Sequence, residues 1–208
     1  MSVAREERRL LCDLFAELGP DAPTRCEGWQ TRDLAAHLAL RERRPDAAIG
    51  IAVSSFAGRT RRVQESFAAR PWAELVDLVR SGPPRWSPYA ITAVDGLVNA
   101  AEFFIHHEDV RRAREDWQPR PPESARDEVL WRNVTRAGRL TYRRSPVGVA
   151  LRRPDGTEAT VRRGPNTATV VGEPGELLLH AFGRDRAVVE FDGEQSSIAV
   201  VQGLDRGM

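Results

Sequence analysis

The stretch ITAVDGLVNAAEFFIHHEDVRRAR, residues 91–114, decides how the first half of the chain folds. Apolar residues such as Val98, Ile105 and Val110 recur at helical spacing, which predicts one long helix. Between its two apolar flanks runs a polar stripe, made of Asp95, Asn99, Glu102, His106 and Asp109. Glu108 and Arg111 fall on the opposite face, which we predict to be exposed to solvent. A polar stripe flanked by apolar residues indicates burial in a helix bundle, where a carboxylate needs a partner.

A second predicted helix supplies a histidine that can reach this stripe. The segment TRDLAAHLALRERR begins at Thr31, which we take as its N-cap, and ends before Pro45. His37 lies among leucines on this helix and therefore points toward the core. A glutamate and a histidine four residues apart on one helical face, joined by a histidine from another helix, form a plausible ligand set for a divalent metal. We therefore predict a metal site formed by His37, Glu102 and His106, with zinc as the first choice, although iron, nickel and manganese also accept such ligands.

The same residues also allow an interpretation without metal. Glu102 and His106 can pair with Arg41 or Arg44 across the bundle, because such spacings occur by chance in charged helices. If a metal binds, three ligands leave a coordination position open, as in catalytic zinc sites. An open site can lower the pKa of a bound water or thiol, or polarise a carbonyl. Asp95, Asn99 and Asp109, on the ligand stripe, are predicted to orient the imidazoles.

Composition and charge exclude several classes of function. The 208 residues carry 31 basic and 30 acidic side chains, and this net charge of +1 argues against nucleic-acid binding. Every basic residue is arginine, which excludes a Schiff-base lysine. No apolar run is long enough to cross a bilayer, and MSVAREERRL does not resemble a signal peptide, so we predict a cytoplasmic protein without a membrane partner. Cys12 and Cys26 are expected to be free thiols, Cys12 in a packing role.

The charge-rich segment REDWQPRPP is the predicted boundary between two domains, residues 1–118 and 119–208. Before it we predict a helix at residues 3–18 and one or two further helices over residues 59–69 and 71–80. After it we predict helices at residues 124–141 and 173–182 and strands at residues 147–151, 159–163, 167–171, 187–191 and 197–201. The fold class is therefore α+β, a helical bundle followed by a small α+β domain. Two other histidines have plainer interpretations, His107 at the surface or its boundary and His180 in the core or at its boundary.

Three segments carry a resemblance to a known family. TRCEGWQTRDLAAHL, residues 24–38, closely resembles the amino-terminal signature of the mycothiol-dependent maleylpyruvate isomerase family, which belongs to the DinB-like group of metal-binding four-helix bundles. Glu102 and His106, followed by Asp109, are similar to the E-x-x-x-H-x-x-D segment of that family. The third segment, GEPGELLLHAFGR at residues 172–184, looks like part of the sterol-carrier-like domain that often follows the bundle.

The resemblance implies a DinB-like four-helix bundle followed by a sterol-carrier-like domain. It implies His37, Glu102 and His106 as zinc ligands and a low-molecular-weight thiol such as mycothiol as the incoming ligand. By the same resemblance Arg184 would assist the substrate, and we assign Arg41 and Asp109 to the cofactor-binding surroundings.

Two function hypotheses follow. In the first, the protein is a zinc-dependent isomerase or S-transferase that presents a thiolate to a small electrophilic substrate. In the second, it is a non-catalytic metal-binding bundle that senses metal or thiol status or binds a partner. The second is supported by the lack of an evident general acid or base outside the ligand stripe.

Overall fold

The computed structural model describes residues 2–90 and 98–206 of the chain. Two compact units can be distinguished, Met1–Gln118 and Pro119–Met208. The first unit is helical, and the second contains helices and one sheet, so the predicted α+β class is confirmed. Among the described residues no helix is both long enough and apolar enough to span a membrane.

The first unit is built from helices that bury their apolar faces against one another. In the described residues these helices are α1 Val3–Leu18, α2 Thr31–Arg43, α3 Pro45–Ala52, α4 Ala57–Ala68, α5 Trp72–Arg80 and α6 Ala100–Arg111. Helix α1 packs against α5 and α6, and α2 packs against α3, α4 and α5. The shared core includes Phe15 of α1, Leu34 and Leu38 of α2, Leu75 of α5 and Phe103 of α6.

The start of helix α2 is fixed by local hydrogen bonds. Thr31 was predicted as the N-cap, but it is the first helical residue, and Gln30 precedes the helix instead. The backbone N–H of Gln30 donates to Asp33 Oδ2 at 3.0 Å, as in a capping box. The Thr31 hydroxyl donates to the carbonyl of Gly19 at 2.6 Å and so ties the start of α2 to the end of α1. The prediction was wrong by one residue, since the helix begins at Thr31 and Gln30 is its N-cap.

The second unit is a four-stranded sheet with helices. Its elements in the described residues are α7 Ser124–Thr141, β1 Val149–Arg152, β2 Glu158–Arg162, β3 Ala168–Val171, α8 Pro174–Ala181, β4 Glu190–Asp192 and α9 Gln195–Gln202. The strand order is β2-β1-β3-β4. β1 runs parallel to β3, and the other pairs are antiparallel. Helix α7 packs on α8 and β2, burying Leu130 and Val134, and α9 packs on β3.

Several predictions about elements need correction. Residues 197–201 were predicted as a strand and lie in helix α9, and the strand predicted at residues 187–191 is the three-residue β4 at Glu190–Asp192. The helix predicted over residues 91–114 is described only as Ala100–Arg111, and Asp95 lies outside the described residues. Glu108 was predicted to face solvent but is 1% exposed, buried by the packing of the first unit, where it accepts hydrogen bonds from Arg111 at 2.6 Å and from Arg112 at 2.7 Å.

Candidate metal centre

Two imidazoles and one carboxylate converge between helices α2 and α6. His37 Nε2 lies 3.3 Å from Glu102 Oε1, and His106 Nε2 lies 3.4 Å from the same oxygen. Ligand atoms of all three residues are within 4.8 Å of one another. Both imidazoles are buried, whereas 24% of the Glu102 side chain is exposed. The arrangement therefore leaves one side of the carboxylate accessible.

The separations are compatible with a divalent ion as well as with long hydrogen bonds. Hydrogen bonds between charged groups are usually about 2.7–2.9 Å long, so 3.3 Å and 3.4 Å are long for ion pairs. Zinc bonds to nitrogen and oxygen of about 2.0–2.2 Å place neighbouring ligands of a tetrahedral ion roughly 3.3–3.5 Å apart. The donor set of two imidazoles and one carboxylate is also one that zinc accepts in catalytic sites. The residues present therefore fit a divalent ion.

Arg41 is the charged neighbour that the interpretation without metal requires. Its Nε lies 3.4 Å from Glu102 Oε1, and its Nη1 donates to Asn99 Oδ1 at 2.8 Å. Its guanidinium also stacks over the Tyr89 ring, with 4.2 Å between the guanidinium carbon and the ring centroid. Arg44, the other candidate, pairs with Asp46 at 2.8 Å. Arg41 thus neutralises Glu102 while Asn99 and Tyr89 occupy other parts of its guanidinium.

Asp109 contacts the His106 ring at Nδ1, the nitrogen that does not face Glu102. Its Oδ2 lies 3.0 Å from His106 Nδ1, so the carboxylate accepts the Nδ1 proton and the other ring nitrogen, Nε2, faces Glu102. The Cys26 thiol donates to the same Oδ2 at 3.3 Å, and its sulfur lies 3.8 Å from His106 Nδ1. The backbone N–H of Arg25 donates to the Asp109 carbonyl at 2.9 Å, which fixes this loop onto α6.

Cys26 is the residue of this site that sequence reasoning missed. It was treated as an ordinary free thiol, and the structure places it as a second donor to Asp109. Its position inside the segment TRCEGWQ, directly before the helix that carries His37, was the available signal. Trp29 of the same segment packs against the His37 ring, with 5.2 Å between the ring centroids. The loop before α2 therefore encloses both imidazoles.

The electrostatic surroundings give the two imidazoles different proton affinities. Burial lowers the pKa of His37, although the bond with Glu102 opposes this effect. Burial also acts to lower the pKa of His106, but hydrogen bonds with Asp109, Cys26 and Glu102 raise it well above its usual value. For Glu102 burial acts to raise the pKa, and Arg41 with the two imidazoles lowers it well below the usual value. The carboxylate is therefore ionised at neutral pH, as a ligand must be, whereas a metal would have to displace the Nε2 proton of His106.

The remaining predicted residues lie elsewhere. His107 was predicted at the surface or its boundary, but it is buried and its Nδ1 lies 3.0 Å from Glu7 Oε2 of helix α1. His180 is in the core of the second unit, as predicted, and lies 2.7 Å from the Tyr142 hydroxyl. Arg184 belongs to the second unit, where its Nη1 donates to the carbonyl of Phe182 at 3.0 Å. Its role toward a substrate stays a prediction.

Two solved structures share the fold of this chain. A histidine-to-alanine mutant of the mycothiol-dependent maleylpyruvate isomerase aligns with a TM-score of 0.56 and 14% identity. A second structure of the mycothiol-dependent maleylpyruvate isomerase aligns with a TM-score of 0.54 and 15% identity. Each alignment covers 92% of this chain and 91% of the other chain. No protein-family model and no curated protein sequence matches the chain. The resemblance to that isomerase therefore holds at the level of the fold.

Proposed function

We propose that this protein is a divalent-metal-dependent enzyme, with zinc as the metal, that uses a low-molecular-weight thiol to isomerise or conjugate a small electrophilic substrate. The observation that carries the proposal is the approach of two imidazole nitrogens to one oxygen of Glu102 at 3.3 Å and 3.4 Å. In this proposal His37, Glu102 and His106 hold the metal, and a fourth position is left for a guest. The bound metal would lower the pKa of the thiol and so supply a nucleophile at neutral pH.

The other residues of the centre have supporting roles in this proposal. Asp109 accepts the Nδ1 proton of His106 and so keeps the Nε2 lone pair turned toward the ligand position. Arg41 balances the charge of Glu102 and borders the bound cofactor. Trp29 covers the ring of His37 and limits the access of water from that side. Together these contacts keep the ligand atoms in place before any metal arrives.

Our proposals for the thiol and for the reaction type are based on the fold. Mycothiol dependence and maleylpyruvate isomerisation are stated for the solved structures that share this fold, and a mycothiol-type thiol is accordingly our proposal for the cofactor. On the same basis we assign the first unit to the DinB-like four-helix bundles and the second to the sterol-carrier-like domains. Arg184 of the second unit is the proposed residue that assists the substrate.

Metal content is the first test. The purified full-length protein should contain about one zinc ion per chain, measured by elemental analysis after exchange into metal-free buffer. His37→Ala and Glu102→Gln should each reduce the zinc content by at least about tenfold, since each removes one of three ligands. His180→Gln is the matched control, because this histidine is also buried but lies in the second unit. Equal zinc content in wild type and His37→Ala would contradict the proposed centre.

Activity is the second test. Zinc-loaded protein with mycothiol and a model electrophile, such as an activated alkene, should accelerate conjugation or isomerisation, and Glu102→Gln should abolish that acceleration. A zinc-loaded protein that accelerates neither reaction would contradict the enzymatic proposal and leave the non-catalytic metal-binding bundle. Thermal-shift titration with mycothiol then tests whether that bundle still binds a thiol.

A further inference from the structure

A second cavity in the first unit lies apart from the residues of the metal centre. It has a volume of about 420 Å³, which is within the range of roughly 300–1,000 Å³ typical of small-molecule sites. Its walls come from α1, from the end of α6 and from residues 116–118. Leu10, Leu14 and Trp117 supply its apolar surface, and His107 is its imidazole. None of His37, Glu102 and His106 lines it.

His107 is held in one orientation by a buried carboxylate. His107 is 6% exposed and Glu7 is 2% exposed, and Nδ1 lies 3.0 Å from Glu7 Oε2. The carboxylate accepts the Nδ1 proton, which leaves Nε2 as the ring nitrogen available to a ligand. A ligand of this cavity therefore gains a hydrogen bond by bringing a donor.

The charged residues that line the cavity, which we call its rim, are Asp13, Glu17, Arg111, Arg114 and Asp116. Each has an oppositely charged neighbour, and Glu17 Oε1 lies 3.9 Å from Arg114 Nη1. Asp13 accepts from Arg9 at 2.8 Å and from Arg80 at 2.7 Å. Arg111 pairs with Glu108 at 2.6 Å, and Arg114 lies 3.2 Å from Asp116. These partners neutralise one another, so the rim does not select a strongly charged ligand. The Arg112 guanidinium covers one face of the Trp117 ring, 4.5 Å from the ring centroid. The same ring lines the cavity.

We propose that this cavity is a second ligand site, which takes a small uncharged aromatic alcohol. The ring of the ligand packs on Leu10, Leu14 and Trp117, and its hydroxyl donates to Nε2 of His107. Burial of a flat apolar ring supplies the affinity, and the hydrogen bond supplies the specificity. The alternative is that the contact between Glu7 and His107 only stabilises the packing of α1 against α6.

The test uses phenol as the probe on the full-length protein with isotope-labelled histidine. Titration with phenol should shift the side-chain NMR signals of His107, assigned from His107→Gln. Anisole has the same ring without the hydroxyl proton, and it should bind about tenfold more weakly. Benzoate, which is charged, should also bind more weakly than phenol.

Variants separate this site from the metal centre. His107→Gln should lower the affinity for phenol about tenfold and leave the affinity for anisole unchanged. Leu14→Ala should lower the affinity for both ligands. His37→Gln should leave phenol binding intact whether or not zinc binds, so a failure of the proposed metal centre does not affect this result. Phenol-induced shifts in His37 or His106 in place of His107, equal affinity for phenol and anisole, or no shift at saturating phenol would each overturn the proposal.

Discussion

Asp109 is a single carboxylate that accepts from both a metal-ligand candidate and a thiol. Its Oδ2 lies 3.0 Å from His106 Nδ1 and 3.3 Å from Cys26 Sγ, and the residue is 1% exposed. A buried carboxylate with two donors keeps its position without solvent. In this way a residue that does not touch the proposed metal still decides which nitrogen of His106 faces it.

Replacement of Asp109 by asparagine tests that role. The amide carries less negative charge than the carboxylate, so the Nδ1 proton of His106 is held less strongly. We expect Asp109→Asn to weaken zinc binding about 10- to 100-fold, measured by competition with a chromophoric chelator. Cys26→Ser, which keeps a hydrogen-bond donor to Asp109, is the matched control and should change the affinity less than about threefold. Wild-type affinity in Asp109→Asn would show that Asp109 is not needed to orient His106.

His180 provides a pH dependence in the second unit. Burial and the nearby Arg206 lower its pKa from 6.5 to about 3, and the Tyr142 hydroxyl lies within hydrogen-bond distance of its Nδ1, at 2.7 Å. The unfolded chain takes up a proton at this histidine below about pH 6.5, whereas the folded chain does so only near pH 3. The contribution of this neutral histidine to the free energy of unfolding should therefore be complete above about pH 6.5. Below that pH the free energy of unfolding should fall by up to about 1.4 kcal/mol per pH unit.

Urea unfolding of the full chain between pH 4 and pH 8 measures this dependence. In His180→Gln the residue at this position does not titrate, so the loss of stability on acidification should be smaller than in wild type. Tyr142→Phe removes the hydroxyl but keeps the histidine, and it serves as the control that retains the pH dependence. Identical pH profiles for wild type and His180→Gln would contradict the assignment.

At the scale of secondary-structure elements, one buried arginine joins four helices. Arg8 of α1 forms a bidentate pair with Glu42 of α2, and its Nη1 also donates to the carbonyl of Val79 in α5 at 2.8 Å. Its guanidinium lies 4.1 Å from the centroid of the Phe103 ring in α6. Arg8 is 6% exposed and Glu42 is 1% exposed. Neither charge can be left alone in such surroundings without a large cost.

Removal of one partner should therefore destabilise the first unit. We expect Glu42→Ala to lower the free energy of unfolding by about 3–5 kcal/mol, measured by chemical denaturation, because Arg8 keeps its charge in a buried site. The double variant Arg8→Met with Glu42→Leu removes both charges and should be clearly more stable than Glu42→Ala alone. If the two variants were equally stable, the unpaired charge would not be the cause of the destabilisation.

Helix α9 is an element whose type the local sequence pattern did not determine. Residues 197–201, SIAVV, contain three β-branched side chains and were predicted as a strand. In the structure Ser197, Ile198 and Val201 are buried on one face of α9, at the spacing of a helix, and α9 packs on β3. A short apolar run fits either element, and its packing partner decides between them.

At the scale of the whole molecule, zinc should stabilise one compact unit and not the other. All three proposed ligands lie in Met1–Gln118. A ligand that binds only the folded state stabilises it by about 2.7 kcal/mol at a concentration of 100 times its Kd. Hydrogen exchange with zinc and with chelator should therefore slow in α2 and α6 and remain unchanged in Pro119–Met208. In His37→Ala zinc should have no effect on either unit. Equal protection of both units by zinc would contradict a centre built from these three residues.

The sequence by itself determined the periodic elements. Helices α1, α2 and α7 and strands β1 to β3 lie within two residues of their predicted positions, because their apolar residues repeat at helical or strand spacing. The same periodicity placed His37, Glu102 and His106 on buried faces, and the structure brings their ligand atoms together. Their role as ligands stays a prediction.

Only the tertiary structure decided which polar side chains became partners. Cys26 meets Asp109 across 83 positions of sequence, and Glu7 meets His107 across 100. Glu108, predicted to be exposed, is buried by the packing of the first unit, and Arg111 and Arg112, three and four residues further on, compensate its charge there. Periodicity reports only which face of an element is apolar, whereas these contacts depend on how the helices pack and on the need of buried charges for partners.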